Sequence, residues 1–278
     1  MNFKLQFSLF IRSFFLQTFW NYRKFQNVGL LFIMWPFLKK LYLADRDALP
    51  AVITRYLQNF NTHPAMASFC FGALARQEEE IAHAKTAKDL EEQTALWAEI
   101  KRSLSITTAS IGDRLFWGTL KPFTLLVALF IWLVSGVNFF ELNLPKAPSL
   151  WYVFSAGAVA FISFNAIALF VKWKGISMGY NNPANRCFGL TEFDWNKTIY
   201  NAKRMGLFFA IGMLAIGAYY FMQTSLAQNV KFMSRAILVL FFISASFITR
   251  RLRIPNMYLY LIAVLVFNIV CYVLGGKL

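Results

Sequence analysis

No P-loop, Gly-x-Ser-x-Gly elbow, His-Glu-x-x-His pair or dinucleotide fingerprint occurs in this chain. The phosphate cradles, exposed nucleophiles and paired metal ligands that those motifs supply are excluded, so any chemistry rests on partners or on binding alone. Cysteine is sparse and odd in number. Cys70, Cys187 and Cys271 lie far apart without Cys-x-x-Cys spacing, so neither a disulfide framework nor a zinc site is expected. Histidine is rarer, with only His63 and His83. Glu79 and His83 stand one helical turn apart, but with no second His or Cys beside them they read as a solvated face and not as metal ligands. No cofactor, metal or catalytic residue is expected.

The most consequential absence is charge. Stretches 123–140, 147–171, 205–230, 236–249 and 254–276 contain no Asp, Glu, Lys or Arg. Four of the five are long enough for a helix across roughly 30 Å of hydrocarbon, whereas 236–249 is short for a span. With 58% hydrophobic residues and a mean hydropathy of +0.49, the chain reads as an integral membrane protein and not as a soluble globule.

The net charge of +15 invites a nucleic-acid partner, but its distribution argues against one. Residues 1–122 hold 15 Lys and Arg against 10 Asp and Glu. Much of the remaining excess sits between apolar stretches: Lys172, Lys174, Arg186, Lys197, Lys203 and Arg204, then Arg250, Arg251 and Arg253. Short basic segments flanking spans follow the positive-inside bias. That bias places the segment before 123, with the N-terminus, and the loops 172–204 and 250–253 on the cytoplasmic side. Lys231 and Arg235 run against this orientation if 236–249 crosses. A lipid bilayer, and no nucleic acid, is the expected surroundings.

Along the chain, residues 1–26 read as an interfacial amphipathic segment. Phe7, Leu9, Phe10, Ile11, Phe14, Phe15 and Phe19 are interleaved with Lys4, Gln6, Arg12, Ser13 and Gln17. Lys4 and Arg12 interrupt the apolar run, so it is not read as a signal peptide. Residues 27–122 contain two apolar runs too short to span. Val28–Leu38 holds Gly29 and Pro36, and Phe60–Ala75 holds Pro64, Gly72 and the polar trio Asn61-Thr62-His63. Broken short runs of this kind point to re-entrant hairpins, which lipid cannot satisfy and which must be buried in protein or line a cavity. A polar cytoplasmic helix over about 76–104 follows, with Ile81, Leu90, Trp97 and Leu104 as its sparse apolar line. Residues 123–278 are the spans and the C-terminal span. Ala156 with Ala160, and Gly206 with Ala210, give spacing for close helix approach.

The fragment Gly112-Asp-Arg-Leu-Phe-Trp-Gly-Thr-Leu-Lys-Pro122 carries two glycines, a carboxylate, an indole and a terminal proline immediately before an uncharged stretch. Helix breakers and a lone Asp beside hydrocarbon predict a bent, polar segment at the membrane edge.

Three fragments in order carry a resemblance: Gln17-Thr-Phe-Trp-Asn-Tyr-Arg-Lys-Phe-Gln26, Phe60-Asn-Thr-His-Pro64 and Gly112–Pro122. Glu78-Glu-Glu80 and the run from Phe164 to Tyr180 continue it, and Arg250–Asn256 extends it more weakly. Together they resemble the IID membrane subunit of mannose-type (mannose/fructose/sorbose) phosphoenolpyruvate:sugar phosphotransferase systems (PTS). The resemblance implies an all-α elevator-type permease subunit of the bacterial inner membrane, with re-entrant hairpins, an interfacial N-terminal helix and four to five spans. Its implied partners are a IIC membrane subunit and the cytoplasmic IIB and IIA phosphocarriers, with IIB phosphorylating the sugar that IIC and IID deliver. On this reading His63 is no phosphorylation site.

A sugar offers hydroxyls and CH faces, so its site needs amide or carboxylate hydrogen bonds and an aromatic platform. Asn61 and Thr62 beside Pro64, with Asp113, Trp117 and Thr119 in the second fragment, supply them. The resemblance puts Asn61 and Trp117 first. Asp113 has an alternative as the ion-pair partner of Arg114 or Lys121, and Trp20 and Asn21 are assigned to hairpin packing. The family pattern has a small residue or proline where this chain has Arg114. Its glycine- and proline-rich lead-in is replaced by Ser105–Ser110. These departures keep open a IID-like protein that no longer transports and serves as an interaction or regulatory subunit.

Overall fold

A computed structural model describes residues 1–134 and 150–225. The chain divides into two compact units, Met1–Val137 with Lys146–Gly212, and Asn138–Pro145 with Met213–Leu278. The packing below belongs to the first. The expected apolar stretches 236–249 and 254–276 and the basic loop 250–253 lie outside the described residues.

The described elements are helical: α1 (Phe3–Arg12), α2 (Asn27–Leu41), α3 (Leu49–Tyr56), α4 (Ala67–Ala82), α5 (Ala87–Gly112), α6 (Lys121–Val134), α7 (Leu150–Asn181) and α8 (Trp195–Ser225). Only isolated β-bridges join extended segments among the described residues, pairing Phe25 with Asn21 and with Phe60. Two apolar stretches, Ala87–Ile131 and Phe154–Asn181, are long enough to cross a membrane.

The sequence-predicted polar helix over 76–104 is two helices. α4 ends at Ala82, and α5 starts after Thr86, whose hydroxyl accepts from the Asp89 amide at 3.1 Å. An N-cap threonine satisfies one of the orphan amides of the first turn, so a new helix starts there. Of the expected apolar line, Ile81, Trp97 and Leu104 are buried, while Leu90 is exposed. The buried face of α5 instead runs through Trp97, Ile100, Lys101, Leu104, Ser105, Thr108 and Gly112, at the three- and four-residue steps of one helix side.

The Gly112–Pro122 fragment also departs from expectation. It does not break the helix. Asp113–Leu120 is a π-helical segment that joins α5 directly to α6. The wider turn takes up Gly112 and Gly118 without ending the helix, and Pro122, which has no N–H to give to the ladder, follows it as the second residue of α6 inside the continuous helix. Pro36 likewise lies inside α2.

The core is organised around α4, which packs against α7 and α5, with α6 also on α7. Glycines set the α4–α7 distance. A Cβ on Gly72 would lie 2.1 Å from the Ile176 carbonyl oxygen, and one on Gly179 would lie 2.2 Å from that of Phe69. Gly175 and Gly179 are the spaced pair of close approach here. At Gly206, of the pair Gly206 with Ala210 named from sequence, the approach is looser: a Cβ there would meet Phe123 only at 3.6 Å. α7 turns Phe154, Phe161, Ile162 and Phe170 outward, and α1 exposes Phe3, Phe7, Ile11 and the adjoining Phe14 and Phe15. Trp173 of α7 anchors α1, with Phe10 at 5.3 Å and Phe3 at 5.6 Å between ring centroids, and with its carbonyl accepting from Gln6 Nε2.

Candidate functional site

The segment Phe60–His63 runs as extended chain along α5, and its polar groups explain why it stays extended. The Gln26 amide imitates a neighbouring strand: Nε2 donates to the Thr62 carbonyl at 2.9 Å, and Oε1 accepts from the Thr62 amide at 3.0 Å. The Gln26 backbone N–H donates to the Phe60 carbonyl at 2.8 Å. Buried backbone is satisfied here by one side chain, which lets a non-helical strip sit inside a helical core. Asn21 and Asn27 hold the other side of this strip. Asn21 Nδ2 donates to Asn27 Oδ1 at 2.8 Å, and Asn27 Nδ2 donates to the Leu57 carbonyl at 2.8 Å. Asn21 therefore does the packing work assigned to it.

The five sequence-predicted site residues separate into two kinds. Thr62 and Thr119 are buried and engaged within the protein. Thr62 Oγ1 lies 2.7 Å from Thr108 Oγ1, and the Thr119 hydroxyl donates to the Arg114 carbonyl at 2.7 Å, a step of five residues across the π segment. Asn61, Asp113 and Trp117 are exposed. The Asp113 carboxylate forms no ion pair among the described residues, with neither Arg114 nor Lys121. Arg114 Nη1 donates instead to Asn196 Oδ1 at 3.3 Å, and Lys121 Nζ sits 4.4 Å from the centroid of the Trp117 ring.

His63, which sequence reasoning set aside, is the link between the two motifs. Its ring stacks on Phe116 at 4.8 Å and 12°, and meets the Trp117 ring edge-on at 6.1 Å. A Cβ on Gly112 would lie 2.3 Å from that of His63, so the glycine is required for the ring to lie against the π segment. Asp113 and Lys172 are both near enough for their charges to act on this imidazole. Lys172 is itself buried, over the Phe14 ring at 4.4 Å. The signal that would have found His63 is the pairing of a flat ring with a glycine on the facing helix, which a linear sequence does not display.

On the opposite side, Asn61 lines a cleft of about 570 Å3 between the α3–α4 connection and α5. Behind it lies a buried ionic knot. Arg55 and Glu78 form an ion pair, and the Tyr42 hydroxyl donates to Glu78 Oε1 at 2.8 Å. Burial, reinforced by the Glu78 carboxylate, pushes the Tyr42 phenol above its ordinary range. Burial works against the Arg55 cation, but the Glu78 charge and hydrogen bond outweigh it and leave the guanidinium held more firmly protonated. Lys101 Nζ donates to the Arg55, Tyr56 and Gln58 carbonyls at 3.2, 3.5 and 3.0 Å, closing the C-terminal end of α3.

Residues 2–140 match the family model of the PTS system mannose/fructose/sorbose family IID component. The chain belongs to that family. The fructose permease IID component of Bacillus subtilis is 35% identical over 63% of this chain and 55% of its own length. The mannose-specific EIID component of Escherichia coli K12 is 30% identical over 62% of this chain and 53% of its own. The chain thus spans about half the length of these curated relatives. Among solved structures, the mannose transporter ManYZ in complex with microcin E492 superposes with a TM-score of 0.54 at 21% identity, covering 99% of this chain and 97% of that one. A structure described as a membrane protein reaches 0.60 at 20% identity, with the same coverage. These two show a shared fold. The IID resemblance read from the ordered fragments therefore holds, and this is a membrane component of the mannose-type PTS sugar-transport family.

Proposed function

We propose that this chain is the IID half of a mannose-type PTS permease, binding and translocating a hexose together with a IIC subunit while IIB, charged by IIA, phosphorylates the sugar. The observation that carries this reading is the exposed Trp117 indole beside the Asp113 carboxylate, which has no ion pair among the described residues, on the π segment of a helix in a IID component. An indole face covers the CH face of a sugar and a free carboxylate accepts from two of its hydroxyls. π segments concentrate at functional sites because one extra residue per turn re-aims the side chains around it. Asn61, the remaining exposed candidate, opens into the cleft beside α5 instead and is assigned as a sugar contact there. Thr62 and Thr119 act through packing, holding the extended strip and the wide turn in place. Lys121 covers one face of the indole, so the sugar takes the other face or displaces it.

The same reading places α1 in the membrane interface and the N-terminus on the cytoplasmic side. It makes α2 and the Phe60–Ala75 region re-entrant, in an elevator-type subunit with four to five spans in the bacterial inner membrane. Arg114 is drawn toward Asn196, so the large cation does not lie across the Trp117 face and gives no support to a subunit that has lost transport. The test is expression with its own IIC, IIB and IIA in a strain lacking mannose-family transport. Uptake of at least one of mannose, fructose or sorbose is expected, and no uptake of any hexose overturns the proposal.

A further inference from the structure

We infer that the cleft between the α3–α4 connection and α5 is a second station that holds a phosphorylated sugar, apart from the Asp113–Trp117 surface. The inference rests on the permease reading for the existence of such a product.

The cleft has the size of a small-molecule site. Gln58, Asn59 and Asn61 all line it, are exposed, and make no side-chain hydrogen bond among the described residues. Three neighbouring amides without protein partners offer paired donors and acceptors to hydroxyls. Phe25, Phe60 and Trp97 supply apolar wall.

Charge distinguishes the phosphorylated sugar from the free one. Arg55 is paired with Glu78, and Lys101 is consumed by three carbonyls, but Arg102 is exposed on the lining and its guanidinium forms no ion pair or hydrogen bond among the described residues. Glu99, one turn away on α5, does not line the cleft, and neither does any other carboxylate. A free guanidinium at a rim with no competing acid suits a phosphate monoester. The α5 residues of the cleft end at Ile106, eleven positions before Trp117. At 1.5 Å per residue that is about 16 Å along the axis, longer than a hexose, so one sugar does not occupy both places.

The experiment uses the full chain co-purified with its IIC subunit in detergent, titrated calorimetrically with mannose 6-phosphate, mannose and inorganic phosphate. The expected result is saturable binding of mannose 6-phosphate that weakens at least fivefold in Asn59→Ala and in Arg102→Gln and is unchanged in Trp117→Ala. Inorganic phosphate alone is expected to bind at least tenfold more weakly. Both cleft substitutions remove exposed side chains without protein partners, so they leave the fold intact. The station is overturned if the wild-type complex binds no mannose 6-phosphate, if the two variants bind as it does, if phosphate alone matches it, or if Trp117→Ala abolishes binding. Sugar uptake measured in parallel separates the two ideas. Uptake without cleft binding removes the station and leaves the permease reading, whereas absence of uptake removes the permease reading itself.

Discussion

Two stretches of the same continuous helix treat their polar neighbours in opposite ways. Around Trp97 and Lys101, the charges of the knot behind the cleft are spoken for: Glu78 holds Arg55 and Tyr42, and Lys101 holds the carbonyls of Arg55 and Tyr56 in α3 and of Gln58 just past it. Around Gly112–Leu120, stacked rings do the holding, with His63 on Phe116, and the carboxylate of Asp113 and the indole of Trp117 are left facing outward. The first arrangement makes a rigid anchor among α2, α3, α4 and α5. The second keeps polar chemistry available on a wide turn. The difference sets satisfied side chains against outward-facing ones along one helix, and it can be broken at either end.

The largest effect is expected at the anchor. Glu78→Ala leaves the Arg55 guanidinium buried without its partner, a loss of about 3–5 kcal/mol for a buried pair. A steep fall in the unfolding temperature of the purified protein, with little protein surviving in the membrane, is the outcome to look for. Retention of wild-type stability would show that the knot is not an anchor.

Gly112→Ala comes next. Its Cβ meets His63, and the overpacking costs about 1–3 kcal/mol. Because the His63 ring must move, uptake is expected to fall further than the stability loss alone explains, read as transport per folded molecule. Thr62→Val removes the hydroxyl that meets Thr108, while Thr108 keeps its bond to the Leu104 carbonyl at 2.6 Å. The cost is about 1 kcal/mol, as for an ordinary buried hydrogen bond, measurable by chemical or thermal unfolding. Arg114→Ser is expected to be the mildest, within about 0.5 kcal/mol in stability, since it loses one exposed contact to Asn196 at 3.3 Å. Uptake by that variant should stay close to wild type; a large gain would revive the idea that Arg114 blocks the sugar.

The same contrast explains what was legible in the chain. Helical membrane character followed from charge-free stretches, and the family followed from fragments in register, because both are properties of short runs. The exposure of the five candidate residues was half legible. Asn61, Asp113 and Trp117 are exposed polar or aromatic groups, as their residue types suggested, but Thr62 and Thr119 turned inward to Thr108 and to the Arg114 carbonyl. A hydroxyl satisfied by a local backbone oxygen and one awaiting a ligand look alike in sequence. The π segment was misread as a break because glycine and proline mark both, and only the continuation of the hydrogen-bond ladder tells them apart. The α4–α7 contact through Gly72 and Gly179, and the Gln26 clamp on Thr62, join residues far apart in the chain, so no local pattern announced them.

The central claim is that the outward-facing indole on the wide turn meets sugar while contributing little to the fold. It is tested most directly by Trp117→Ala, assayed for hexose uptake with its PTS partners and for thermal unfolding in the same preparation. The account predicts at least a tenfold loss of uptake, about 1.4 kcal/mol of binding, with an unfolding temperature close to wild type. Uptake at the wild-type level would contradict it.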